Sequence, residues 1–329
     1  MLVSIIIVSR NSKNTIKRCL DSIVKQTYQD IEVVVVDSSD DGTEKIIENY
    51  KEQLRFIFKI IRKEPKGVGI ARNTGIEESN GEVLIFVDAD CWIDDDFVEK
   101  IIKPFNESEK VLSVYVTKIQ SVQSGGIFPA LVDLYEHVMH YDAGVDTSAR
   151  ISLIVVRKIV YDHIGYYDHN LKSGEDSELF NRLIKKKDEL IKNGFVFGII
   201  ENARFYEEKQ GLGFLEYYKR CIWYGEPLGN WKYFSHEPIQ NTGKIILGIY
   251  NFILPFILLF SILNSNLYLF LIGLVPLGGF TLYFIYKSIA IGAFSRKIVL
   301  IPFFVWYKFT GLFLGLMKSI ISRKVEKTE

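Results

Sequence analysis

Two aspartates one residue apart, Asp88 and Asp90, follow an apolar run and could bind a divalent cation. Two ionised carboxylates this close repel each other, and a divalent cation removes that repulsion. Hard oxygen ligands favour Mg²⁺ or Mn²⁺, and such ions are often held by one or two carboxylates together with the phosphates of a substrate. Short acidic pairs are frequent, so the position of this pair after a predicted buried strand is what makes it a candidate metal site.

Polar residues also follow two other strand-like runs, at Ser9 and Asn11 and at Asp37. In mostly parallel sheets, ligands bind at the carboxyl ends of the strands. We therefore expect these side chains and the aspartate pair to line one crevice. The alternative for any one Asp or Ser after a strand is a helix N-cap, which is a common role for both residue types.

A second pair of adjacent carboxylates, Glu175 and Asp176, follows Gly174 at the predicted start of a helix. The helix dipole favours acidic residues at a helix N-terminus, so a purely structural role is one interpretation of this pair. A catalytic role is the alternative.

The elements that must position these residues alternate between strands and helices over the first hundred residues. Continuous β-branched runs are typical of strands buried on both faces, and the helices show apolar residues at helical spacing. This alternation implies crossover connections and a mostly parallel α/β sheet with helices on both faces. The predicted strands are residues 3–8, 32–36, 56–62, 83–87 and 152–156, and the predicted helices are residues 14–26, 42–50, 67–79, 158–164 and 176–187.

Composition excludes several classes of protein. The chain has 329 residues with 40 Lys+Arg and 40 Asp+Glu, and 48% of the residues are hydrophobic. A disordered chain is thereby excluded, and the lack of a basic excess argues against nucleic acid as the main partner. Three scattered cysteines without a CxxC pair favour neither a disulfide framework nor a zinc site. The apolar N-terminus lacks a basic n-region and a cleavage site, so it predicts a buried strand rather than a signal peptide.

The distribution of charge separates the chain into two parts. Residues 243–321 contain six basic residues and no carboxylate, and residues 322–329 form a basic tail with a net charge of +1, which leaves −7 for residues 1–242. Residues 245–263 and 267–286 are uncharged and long enough to cross a bilayer as helices. Residues 298–317 contain one charged residue, Lys308, and could span the membrane or lie in its interface. The predicted domains are residues 1–230 for catalysis, a connector at 231–244, and a membrane region at 245–321.

Ordered motifs in the first part resemble those of a known family. The motifs are VSIIIVSRN at residues 3–11, QT before a strand that ends in DSSDDGT at residues 37–43, GIARN at residues 69–73, DAD at residues 88–90, IGYYD at residues 164–168, GED at residues 174–176, RL at residues 182–183 and, more loosely, RCIW at residues 220–223. Together they resemble the family-2 inverting glycosyltransferases over roughly residues 3–230. The apolar segments resemble the C-terminal helices of the membrane-bound members that build polysaccharides or act on polyprenyl-linked substrates.

The resemblance implies a GT-A fold, which is a Rossmann-like α/β fold, and a nucleotide-diphosphate sugar as donor. Donor-binding residues would be Ser9, Asn11, Asp37, Arg72 and Asp88. Asp37 would hold the base or the ribose, Arg72 the nucleotide side of the crevice, and Asp88 the ribose.

The resemblance also implies the catalytic groups. Asp90, with Asp88, would hold Mg²⁺ or Mn²⁺, which stabilises the charge that develops on the leaving nucleotide. Asp176 would be the general base that takes the proton of the acceptor hydroxyl, and repulsion from Glu175 would raise the pKa of Asp176.

Two departures from the family pattern change what is expected. A His found in many relatives is replaced by the stretch at residues 204–208, where Glu207 could take its place as a ligand. Arg220 and Trp223 are expected on the acceptor and diphosphate side, but their motif lacks the Gln that opens the signature of processive polymerases. The chain is therefore expected to add one sugar in each event.

The predicted function is transfer of a sugar to a hydroxyl of a lipid-linked acceptor at the cell membrane. One alternative is a polyprenyl-phosphate sugar synthase, whose phosphate acceptor needs no base, and a minor one is a non-catalytic nucleotide-sugar-binding protein. The enzyme is expected to be multi-pass. Its catalytic domain is expected in the cytosol because Lys287, Arg296 and Lys297 lie between the second and third apolar segments.

Overall fold

The computed structural model describes residues 1–53, 55–123, 127–140, 155–171, 174–209, 213–230, 238–290 and 295–326. Its strands are β1 Val3–Ser9, β2 Ile31–Asp37, β3 Ile57–Arg62, β4 Val83–Phe86, β5 Cys91–Ile93, β6 Val111–Gln123, β7 Val155–Arg157 and β8 Val196–Lys209. Its α-helices are α1 Ile16–Val24, α2 Thr43–Asn49, α3 Val68–Glu78, α4 Phe97–Glu107, α5 Ile127–His140, α6 Val160–Ile164, α7 Glu175–Lys192, α8 Phe214–Gly225, α9 Pro238–Leu263, α10 Leu267–Ala290 and α11 Ile301–Glu326.

The described residues group into two units. The first comprises residues 1–122 and 146–209, and the second comprises residues 123–145 and 210–329. The second unit therefore contains α5 and α8 in addition to the three C-terminal helices. The predicted catalytic domain, residues 1–230, included both α5 and α8.

A mixed sheet forms the centre of the first unit, and its described strands are in the order β3-β2-β1-β4-β7-β6-β8-β5. β1 pairs in parallel with β2 and β4, and β2 pairs in parallel with β3. β7 is antiparallel to β4 and β6, and β5 is antiparallel to β8. The predicted α/β fold with a mostly parallel sheet is confirmed, and its parallel pairs lie among β1 to β4.

The apolar run of β1 is continuous because both faces of the sheet are covered. Ile5 and Ile7 are fully buried in a core with α1 and α4, and Ile6 is buried in a second core with α6 and α7. Burial of each such side chain contributes about 1.5–3 kcal/mol relative to exposure. The sheet edge at the carboxyl end of β1 is thus held rigidly from both sides.

The second unit contains the helices with membrane-like composition. Among the described residues, three segments are long and apolar enough to cross a membrane, namely Asn241–Leu263, Leu267–Ala290 and Arg296–Ser322. They contain the three apolar segments predicted from sequence, and each of those predictions of a long apolar helix is confirmed.

Candidate functional site

The carboxyl ends of β1, β2 and β3 bring the predicted donor residues to one edge of the sheet. Parallel pairing sets Ser9 opposite Asp37, and Asp37 opposite Arg62. The Ser38 amide donates to the carbonyl oxygen of Ser9 over 2.9 Å, which ties together the two loops that follow β1 and β2. The register of the strands alone therefore places these residues side by side.

Asp37 is fully buried and anchors a polar network. Its carboxylate accepts a hydrogen bond from the Ser39 hydroxyl over 2.6 Å and forms an ion pair with Arg62. Arg62 also donates to the carbonyl oxygen of Ser39 over 2.9 Å. Arg62 was not among the site residues predicted from sequence. Its position at the end of β3, beside the strand that ends in Asp37, could have indicated it.

Ser9 and Asn11 lie on the loop after β1. Asn11 has a φ of 52°. Its amide donates to the Ser39 hydroxyl over 2.8 Å, and its side-chain oxygen accepts from the Asp40 amide over 3.0 Å. The Ser9 hydroxyl is buried, with no hydrogen-bond partner among the described residues. Because buried hydroxyls are normally satisfied, this group is suited to bind a ligand.

Arg72 lies at the centre of the predicted catalytic carboxylates. Its guanidinium donates to Glu175 over 2.9 Å and to Asp176 over 2.6 Å, and it forms an ion pair with Asp88 at 3.3 Å. Its side chain is only 9% exposed, and it lies over the ring of Tyr167 at 5.5 Å from the ring centroid. One cation thus brings together carboxylates from α7 and from the end of β4.

Contacts between α3 and the chain before α7 hold this cluster in place. Asn73, next to Arg72, exchanges two hydrogen bonds of 2.9 Å with the backbone of Tyr167. A Cβ atom at Gly69 would lie 3.4 Å from the Cβ of Tyr167 and 3.6 Å from that of Glu175, which is van der Waals contact, so α3 packs closely against this segment. Gly174, with a φ of 75°, supplies the left-handed turn that begins α7.

The two carboxylates of α7 have raised pKa values. Burial raises the pKa of Glu175, whose side chain is 6% exposed, and repulsion from Asp176 adds to the rise. The pKa of Asp176 is raised by desolvation, opposed by Arg72 and assisted by Asp88. Asp88 thus adds a like charge near Asp176, and the repulsion between Glu175 and Asp176 that the sequence predicts contributes to the raised pKa of Glu175.

The predicted metal ligands lie beside the Arg72 cluster. Asp88 follows β4 with its side chain 52% exposed, and Cys91, at the start of β5, donates from its thiol to Asp90 over 3.5 Å. Glu207 on β8 is the cross-strand partner of Cys91, one residue from Asp90. Burial raises the pKa of the Cys91 thiol, which favours its protonated form.

Carboxylate oxygens of this kind fit a hard divalent cation. Within the described residues, no cluster of three or more His, Cys, Asp or Glu is arranged to hold a metal ion by itself. Two carboxylates completed by substrate phosphates and water would suffice for Mg²⁺.

Arg220 and Trp223 belong to the second unit. Both lie on α8, where Arg220 is exposed and Trp223 is half-buried. Their predicted role on the acceptor side stays a prediction.

Comparison with known proteins identifies the family of the N-terminal part of the chain. A family model described as "Glycosyl transferase family 2" matches residues 4–147. This chain contains a family 2 glycosyltransferase domain. The family predicted from the ordered motifs is thereby confirmed.

Two curated relatives show the extent of the similarity to other family 2 glycosyltransferases. Glycosyltransferase GlyA of Streptococcus pneumoniae is 38% identical over 113 residues, which are 34% of this chain and 16% of the relative. Glycosyltransferase AglE of Haloferax volcanii is 30% identical over 178 residues, which are 53% of this chain and 58% of the relative. The chain thus spans less than two thirds of the length of either relative.

A solved structure shows the same fold. The crystal structure of Staphylococcus aureus TarS residues 1–349 in complex with UDP-GlcNAc matches with a TM-score of 0.50 and 18% identity, over 98% of this chain and 92% of that one. At this identity the likeness concerns the fold alone. The GT-A fold expected from the motifs is confirmed.

Proposed function

We propose that this family 2 glycosyltransferase transfers one sugar, with inversion, from a nucleotide-diphosphate sugar to a hydroxyl of a lipid-linked glycan acceptor. The observation that carries the proposal is the Arg72 cluster, which gathers Asp88, Glu175 and Asp176 at one point of the crevice. In-line displacement requires a group that binds the donor diphosphate to lie close to a group that can accept a proton. In this cluster Arg72 would be the first group and Asp176 the second.

The donor would bind along the edge formed by the ends of β1, β2 and β3. The Asp37 carboxylate can accept hydrogen bonds from the base or ribose, and the Ser9 hydroxyl can donate one. A neighbouring cavity of about 240 Å³ is lined by Lys63, Glu64, Lys66 and the start of α3, so two amines and one carboxylate lie at its wall. UDP-GlcNAc, the ligand of the TarS crystal structure, is therefore the first donor to test.

Asp90 and Asp88 would hold a divalent cation, and Glu207, opposite Cys91 on β8, forms no three-ligand cluster with them among the described residues. When bound, Mg²⁺ or Mn²⁺ supplies Lewis-acid stabilisation of the charge that develops on the leaving diphosphate.

Asp176 would act as the general base towards the acceptor. Its carboxylate is more than half exposed to the crevice, so an acceptor hydroxyl can reach it. A raised pKa brings a carboxylate closer to the operating pH and makes it a better proton acceptor. This supports a sugar hydroxyl as acceptor over a polyprenyl phosphate, which is already ionised and needs no base.

The test uses membranes that contain the full chain. A panel of labelled UDP- and GDP-sugars, beginning with UDP-GlcNAc, is incubated with polyprenyl phosphate or with a polyprenyl-diphosphate-linked sugar, with Mn²⁺ or with EDTA. We expect label to transfer to the lipid-linked sugar, to be lost in EDTA and to be absent with Asp90→Ala, which should still fold because Asp90 belongs to no hydrophobic core cluster.

Each contrary result has a distinct meaning. Label on polyprenyl phosphate would establish the synthase instead, and full activity in EDTA would disprove the role of the metal. If donors bind but no acceptor is labelled, the chain is a nucleotide-sugar-binding protein.

A further inference from the structure

The surroundings of α11 distinguish it from the other two candidate spans. Protein buries 56% of the most apolar window of α11, against 22% and 11% for the windows in α9 and α10. From Phe304 to Leu316, every residue of α11 is buried or half-buried. By contrast, α9 and α10 expose large apolar side chains such as Leu259 and Val275. An all-round apolar helix is either a membrane span or a core helix. Part of the protein around α11 is α9, whose Gly248 lies against Phe313, so the contacts of α11 with α8 decide between these two cases.

α8 packs on α11 with the two backbones in contact. A Cβ atom at Gly315 would lie 1.9 Å from the carbonyl oxygen of Ile222, and one at Gly225 would lie 2.0 Å from that of Leu312. So close an approach is available only to glycine, and it fixes α8 and α11 as one unit.

The two helices also run side by side in the same direction. The ring of Phe214 stacks on that of Phe303 at one end, and a Cβ atom at Gly229, just beyond α8, would lie 2.6 Å from the Ser319 hydroxyl at the other. At 1.5 Å per residue, α11 covers about 24 Å between these contacts. This length is most of the ~30 Å thickness of the hydrocarbon core. If α11 crossed the bilayer, α8 would have to cross beside it.

α8 carries charges that do not fit such a crossing. Glu216, Lys219 and Arg220 are all exposed on its surface, and Glu226 follows at its end. Charged residues within a bilayer are unfavourable and almost always face the protein interior or a water-filled cavity. Glu216, Lys219 and Arg220 instead lie on the exposed surface of α8. Lys308 of α11 lies over the ring of Tyr135 on α5 at 4.1 Å, so that cation also has a protein environment.

We infer that α11 does not cross the membrane. α8 and α11 lie together at one membrane surface, with the apolar side chains of Leu215 and Phe303 available to the lipid and the charges of α8 in water. Only α9 and α10 cross, as a hairpin joined at residues 264–266. The chain that precedes α9 and the end of α11 are therefore on the same side of the membrane. This inference goes beyond the proposed function and does not depend on activity.

Single cysteines test this arrangement with a membrane-impermeant maleimide on sealed vesicles of each orientation. The three native cysteines are buried, so the unsubstituted chain gives the background. Ser322→Cys and Lys219→Cys are the test positions. Glu52→Cys marks the side of the first unit, Asn264→Cys marks the tip of the hairpin, and Leu259→Cys marks a lipid-facing position on α9; all are exposed residues.

We expect Ser322→Cys and Lys219→Cys to react from the same side as Glu52→Cys, about tenfold more than Leu259→Cys, because the maleimide reacts with a thiolate in water. Asn264→Cys should react from the opposite side only. Reaction of Ser322→Cys from the side of Asn264→Cys would establish three crossings and overturn the inference. So would reaction of Lys219→Cys only after detergent, or reaction of all positions from one side.

Discussion

At the scale of single residues, Arg72 organises the site. A buried guanidinium with three carboxylate neighbours keeps those groups close together, which would otherwise repel one another. Removal of one member of a buried ionic cluster typically costs 3–5 kcal/mol, because it leaves an uncompensated charge. Arg72 was predicted on the nucleotide side of the crevice, and its contacts with Glu175 and Asp176 connect that side to the proposed base.

Asp176→Asn keeps the shape of the side chain and removes its ability to accept a proton. We expect kcat to fall by about 10²–10⁴ while the Kd of the donor hardly changes, since general-base catalysis contributes that much. Steady-state kinetics and donor titration measure the two quantities. Asp188→Asn, an exposed aspartate on the same helix, is the matched control. A comparable loss of donor binding would make Asp176 a donor ligand instead.

Arg72→Met tests whether this cation tunes the base. The positive charge lowers the pKa of Asp176 against the effect of burial, so its removal should raise that pKa further. The base must be deprotonated to act, and the acid limb of kcat/KM should therefore move to higher pH. Arg72→Lys should move the acid limb less than Arg72→Met does, because an ammonium keeps the positive charge but lacks the planar fork of the guanidinium. A fall in activity with an unmoved acid limb would indicate that Arg72 serves donor binding alone.

At the scale of elements, the sequence predicted all four strands of the parallel half of the sheet, but of the antiparallel half only β7, as a strand at residues 152–156. β1, β2 and β4 contain apolar runs that signal burial on both faces, whereas β3 (IFKIIR) is only partly buried. β5 has only three residues, and β8 mixes polar and apolar residues over 14, so neither has a clear period. The partner of Asp37 could be sought at the end of β3. The partners of Arg72 could not be predicted, because they depend on how α7 packs against α3 more than a hundred residues away.

Glu32 on β2 links the amino end of β1 to the turn before β4. Its fully buried carboxylate accepts hydrogen bonds from the Ser4 hydroxyl and from the amides of Asn80 and Gly81. Desolvation would raise its pKa, but these donors and Lys59 outweigh it and lower the pKa. Glu32→Gln places an amide donor against the backbone donors and should cost about 2 kcal/mol.

The effect of Glu32→Gln should depend on pH. Because the folded-state pKa of Glu32 is depressed, its stabilisation is present above the unfolded pKa of about 4.3 and is lost as pH falls through the folded value. Thermal unfolding of the chain in detergent should show a lower Tm at pH 7 and a smaller difference in acid. Glu52→Gln is the exposed control. An unchanged Tm at pH 7 would contradict the role of Glu32.

Gly315→Ala tests the contact between α8 and α11. The new methyl would overlap the carbonyl oxygen of Ile222, and the helices would have to separate. Such overpacking typically costs 1–3 kcal/mol, so we expect a lower Tm or faster proteolysis in detergent. Gly279→Ala on α10 is the matched control, because nothing lies within 4 Å of its new methyl. Equal stability of the two variants would argue against the close packing.

At the scale of the whole molecule, charge separates the two parts of the chain. Residues 1–242 carry a net charge of −7, and residues 243–329 carry +7, with no carboxylate before residue 326 in the second part. Basic residues near crossing helices remain on the cytosolic side and interact with anionic lipids there. A hairpin of α9 and α10 with an α11 that does not cross leaves Lys287, Arg296, Lys297 and Lys318 all on that side.

This topology predicts the side from which the enzyme takes its donor. Nucleotide sugars are made in the cytosol, and the residues before α9 share a side with the basic residues that follow α10. We therefore expect transfer from added donor in inside-out vesicles and none in sealed right-side-out vesicles until detergent opens them. Labelled lipid product measures the transfer, and membranes with Asp176→Asn give the blank. Full transfer in sealed right-side-out vesicles would place the crevice outside the cell and contradict the positive-inside assignment.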